Sequence, residues 1–98
     1  MNGAAEAAIG TVKRTLAIAN KRGLHARAAA KFVRTAGQFD AAIRVSFKGQ
    51  DVSGLSIMGL MMLAAGIGSS IELSCSGRQA AEAMTALSAL VESKFGED

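Results

Sequence analysis

The single histidine of the chain sits in the run Gly23-Leu24-His25-Ala26-Arg27, at the predicted first turn of a helix. An imidazole changes charge near physiological pH and offers a nucleophilic nitrogen, so it can accept a group and then release it. A helix N-terminus presents unpaired backbone N–H groups and the positive end of the macrodipole, which suits a phosphoryl group. Arg27 adds a planar fork of donors matched to phosphate oxygens. Together these features suit a histidine that carries a phosphoryl group. A lone histidine is also a common surface or capping residue, and the local pattern leaves both roles open.

The elements that must position His25 follow from periodicity. Residues 11–19 read as a strand with Val12, Leu16 and Ile18 on one face, interrupted by Arg14. Residues 20–23 form a loop. A helix over residues 26–36 carries Ala29, Phe32, Val33 and Ala36 on one stripe, and Gly37 is predicted to stop it in a left-handed conformation. Residues 42–47 alternate as a strand, with Ile43, Val45 and Phe47 opposite Arg44, Ser46 and Lys48. Lys48-Gly49-Gln50 is a hairpin turn leading to a short strand over 51–53.

Ser56 then precedes an almost wholly apolar helix over 57–63, which Gly66 and Gly68 are predicted to end. Such a helix cannot bury every face against one sheet, so some of Met58, Met61 and Met62 must be exposed or covered by a partner. Ile71, Leu73 and Cys75 alternate with Glu72, Ser74 and Ser76, marking another half-buried strand and making Cys75 a core thiol. Ser76-Gly77-Arg78-Gln79 reads as a capping box. The last helix, to about Ser93, buries Ala80, Met84, Leu87 and Val91. The order β-α-β-β-α-β-α predicts an α+β open-faced sandwich, a four-stranded antiparallel sheet with three helices on one face.

A chain of 98 residues supports one domain, read here as 11–95 behind a loose tail of residues 1–10. One cysteine permits no internal disulfide, and no signal peptide is recognisable; both fit a cytosolic protein. The longest apolar run, residues 57–67, is too short to span a bilayer. The net charge is +3, and Lys13, Arg14, Lys21, Arg22, Arg27, Lys31 and Arg34 all precede residue 35. Glu82, Glu92, Glu97 and Asp98 lie toward the end. A basic first half would attract anionic partners, whether acidic proteins, phosphate or nucleic acid. Only 4% of residues are aromatic, which leaves little for base stacking and argues against a nucleic-acid-binding domain.

Gly-Leu-His-Ala-Arg at 23–27, the helix ending at Gly37, and Ser-Ile-Met-Gly-Leu-Met at 56–61 resemble the HPr family. These are the histidine-containing phosphocarriers of the phosphoenolpyruvate-dependent phosphotransferase system. The resemblance covers about residues 11–95. It implies that His25 takes a phosphoryl group from Enzyme I and passes it to an EIIA-type domain, without a cofactor or metal. It implies that Arg27 stabilises the phosphate, that Ser56 is the serine modified by HPr kinase/phosphorylase, and that Ile57, Met58 and Met61 belong to an apolar docking surface. Lys31 and Arg34 would add electrostatic steering toward acidic partners. The family usually has proline after the arginine; here Ala28 stands, which is also a good helix former. Without the resemblance, Ser56 is a standard helix cap, and the two roles are compatible. A nitrogen-branch or purely regulatory paralogue is the alternative within the same family.

Overall fold

The computed structural model describes residues 10–97. The proposed tail therefore lies almost wholly outside the described residues. The elements run β1 (Thr11–Ala17), α1 (Ala26–Ala36), β2 (Ala42–Phe47), β3 (Gln50–Ser53), α2 (Ile57–Met62), β4 (Ser70–Ser76) and α3 (Ala80–Glu92), followed by a 3-10 turn at Lys94–Gly96. The sheet order is β1-β4-β2-β3, with every neighbouring pair antiparallel. This is the expected α+β sandwich.

The core lies between the sheet and the helices. Ile71, Leu73 and Cys75 of β4 are completely buried, as a central strand with one apolar face requires. Burial pushes the Cys75 thiol above its ordinary pKa, so it stays a neutral core group. Phe32, Ala28 and Ala29 of α1 and Leu87, Met84 and Val91 of α3 pack against that face. Fully burying one such large apolar side chain contributes about 1.5–3 kcal/mol, so the sheet–helix seam dominates the fold's stability.

Several local expectations are corrected. β1 ends at Ala17, although Ile18 still exchanges hydrogen bonds with Ser69 and Gly68. Val12 shares a sheet face with Leu16, yet it is 36% exposed, because β1 is an edge strand covered only at its far end. Gly37 is not left-handed: its φ is −69°, and α1 winds down through tightened bonds from Gln38 to Thr35 and from Phe39 to Ala36. α2 stops at Met62, where Ala64 rather than Gly66 takes the positive φ of 56°.

The expected capping box does not form either. Ser76 is the last residue of β4, and Gln79 is the N-cap of α3 without a side-chain cap bond. The Gln79 side-chain oxygen instead accepts from the Asp40 amide at 2.7 Å, while the Gln79 backbone N–H donates to the Asp40 carbonyl. The hairpin does form as expected: Lys48 and Gly49 both have positive φ and Phe47 pairs with Gln50, the geometry of a two-residue primed turn.

Candidate functional site

His25 is the N-cap residue of α1, with extended backbone (φ −73°, ψ 178°). The Ala29 amide donates to its carbonyl, and the amides of Ala26, Arg27 and Ala28 have no acceptor one turn back within the helix. The ring makes no capping bond to these amides. They remain at the positive end of the helix, available to an anion.

The loop before α1 fixes where the ring sits. Gly23 has a φ of 63°, and a Cβ there would lie 2.8 Å from the Cα of Gly66 and closer still to the Ala65 carbonyl. Only glycine combines this conformation with so close an approach. The next amide, of Leu24, donates to that same Ala65 carbonyl at 3.0 Å, and Leu24 is buried. The segment after α2 therefore anchors the residues leading into His25. As a result His25 and Met61 border one open cleft, together with Arg22, Leu24, Ala64, Ala65 and Gly66. The site is shallow, as a surface-borne reacting group requires.

Two residues overlooked in the sequence complete the surroundings. Glu97 Oε2 lies 2.6 Å from His25 Nε2, with both side chains about one-sixth exposed (17% and 16%). Asn20 is fully buried and donates from Nδ2 to the Gly23 carbonyl at 2.8 Å and to Glu97 Oε1 at 3.2 Å. Burial works to raise the Glu97 carboxyl. The hydrogen bonds from His25 and Asn20, with the charges of His25 and Lys31, outweigh it and hold the carboxyl below its ordinary value. Glu97 lies 72 positions from His25, and no periodicity or motif links the two.

The remaining expected site residues fall in different settings. Arg27 is exposed one residue into the first turn and makes no hydrogen bond among the described residues, so its guanidinium is unengaged. Arg34 is exposed on the same helix. Lys31 is drawn inward, its ammonium donating to the Phe95 carbonyl at 2.6 Å, so part of its capacity to steer partners is already used. Ser56 caps α2, its hydroxyl oxygen accepting from the Gly59 amide at 2.8 Å. Of α2, only Leu60 is buried. Ile57 (42% exposed), Met58 (68%) and Met61 (39%) face outward with Met62, Leu55 and Ile67. This exposed apolar patch adjoins the cleft through Met61.

The family model for the phosphotransferase-system HPr component phosphorylation site matches residues 12–93. The chain belongs to the HPr family. It is 50% identical to the phosphocarrier protein HPr of Cupriavidus necator over 86 residues, which are 88% of this chain and 97% of that protein. The phosphocarrier protein NPr of Shewanella violacea is 43% identical over 86 residues, 88% of this chain and 94% of that one. Among solved structures, HPr-C-His from Thermoanaerobacter tengcongensis superposes with a TM-score of 0.85 at 46% identity, covering 89% of this chain and 98% of that one. The sandwich described above is thus the HPr fold, and the protein is a phosphocarrier of the phosphotransferase system rather than an enzyme. No helix among the described residues is long and apolar enough to cross a membrane.

Proposed function

We propose that the chain accepts a phosphoryl group on His25 from phosphorylated Enzyme I and delivers it to EIIA-type domains in the cytosol. The observation that carries this reading is the position of His25: N-cap of α1, beside free helix amides and an unengaged Arg27, on an open cleft. In-line phosphoryl transfer needs positioning and charge stabilisation rather than a dedicated base. Arg27 and the first-turn amides supply donors to the phosphate oxygens while solvent-side access stays open to the incoming acceptor.

The patch of Ile57, Met58 and Met61 borders the site and serves as the apolar part of one docking face, with Arg34 and Lys31 at its basic side. Ser56, at the start of that patch, is the residue for regulation by HPr kinase/phosphorylase. A phosphate there adds roughly −1.5 to −2 charge at neutral pH. It can take over the cap to Gly59, so inhibition comes from charge and hydration set against the partner's surface rather than from refolding. The direct test is a two-step relay. Phosphoenolpyruvate and Enzyme I should load the chain, and an added EIIA domain should remove the label; a chain that loads but never discharges to any EIIA domain refutes the sugar branch. The likeness to an NPr protein favours a second acceptor set, that of a nitrogen-branch or regulatory system. Discharge to an EIIA domain of that branch alone would select this alternative.

A further inference from the structure

The C-terminal turn folds back onto the reacting histidine, and its construction is specific. Lys94, Phe95 and Gly96 have φ values of 59°, 55° and 72°, three left-handed residues in succession. For lysine and phenylalanine this conformation is costly, so surrounding contacts must hold it. Two such contacts exist. The Phe95 side chain is 1% exposed within the core, and the Phe95 carbonyl accepts from Lys31 of α1. The turn is therefore pinned from both sides, and the residue it delivers is Glu97, whose two carboxylate oxygens receive Asn20 Nδ2 and His25 Nε2.

An imidazole can use only one nitrogen as a nucleophile, and the other must carry the proton. The geometry points to Glu97 as a positioning residue: its carboxylate holds the proton on Nε2, fixing the tautomer in which Nδ1 keeps the free electron pair. Asn20 orients that carboxylate by occupying its second oxygen, and Lys31 adds a nearby positive charge. This role rests on His25 being the phosphoryl acceptor. During loading, the Nδ1 pair forms the new N–P bond as the donor's bond to phosphorus breaks and its electron pair leaves with the donor. The Nε2 proton stays in place. The positive ring so formed faces the Glu97 carboxylate, and on discharge the pair returns to Nδ1. The same arrangement, a carboxylate that orients an imidazole without taking its proton, recurs in hydrolase triads.

The test uses the full chain with Glu97→Ala and Glu97→Gln. Ring 15N shifts at alkaline pH report the tautomer, and stopped-flow loading from phosphorylated Enzyme I reports the rate. We expect the wild-type ring to carry its proton on Nε2. Glu97→Ala should shift the population toward the Nδ1–H tautomer and slow loading about tenfold, the range for losing a hydrogen bond to a charged group. Glu97→Gln, which keeps a neutral acceptor, should fall between. Unchanged ring shifts and unchanged loading in folded Glu97→Ala would overturn the proposal. If the wild type itself takes no label, the phosphocarrier reading of His25 fails, and the ring shifts still decide whether Glu97 sets the tautomer.

Discussion

The ammonium of Lys31, at the middle of α1, donates to the carbonyl of Phe95 at 2.6 Å, tying the helix that presents His25 to the turn that presents Glu97. Helix α1 and the C-terminal turn are thereby held as one unit around the site. The anchor of that unit is the buried Phe95 ring.

Phe95→Ala should therefore cost about 3–5 kcal/mol, the range for emptying a buried aromatic site. Urea denaturation checks this: the midpoint should fall with the slope little changed. A midpoint near that of wild type would mean that the turn is not anchored by the core.

Arg27→Ala should fold normally, because the side chain is exposed and makes no hydrogen bond among the described residues. Loss of a charge-assisted contact to phosphate should slow loading and discharge by about ten- to hundredfold. Unchanged transfer rates in both directions would remove Arg27 from the site.

Met58→Asp places a charge in the exposed patch, on a side chain that is 68% exposed. Stability should hardly move, whereas affinity for Enzyme I or an EIIA domain should fall about tenfold or more. Calorimetric titration with each partner measures this, and unchanged affinity for both would show that docking lies elsewhere.

Much of this arrangement was legible in the sequence. The alternation of Ile71, Leu73 and Cys75 marked the central strand, and the almost wholly apolar stretch after Ser56 announced an incompletely buried helix. Both are periodic signals set by local geometry. The misreadings share a different cause. Gln79 has the spacing of a capping residue, but a chain segment nearly forty residues away claims its side chain. Ala64 takes the positive φ at the end of α2, and the next residue's carbonyl accepts from the distant Leu24 amide, a pairing with no local signal. Glu97 left no local trace because its meaning depends on a turn whose left-handed residues are sustained by tertiary contacts. Long-range pairing of this kind has no period to betray it.

Ser56 separates two roles by substitution. Ser56→Ala removes the cap to Gly59 and should cost about 1 kcal/mol. Ser56→Asp keeps a capping side chain and should leave stability near wild type, yet slow loading of His25. If the aspartate variant loads at the wild-type rate and purified kinase leaves Ser56 unmodified, the serine is a helix cap only.

The most direct measurement places the phosphate. The full chain is incubated with phosphoenolpyruvate and purified Enzyme I, and the modified residue is located by mass spectrometry beside the His25→Ala variant. We expect an acid-labile, alkali-stable phosphate on His25 of the wild type, and none on a variant whose amide spectrum remains that of a folded domain. A label that maps to another residue, or that persists in His25→Ala, would contradict the assignment of His25 as the phosphoryl carrier.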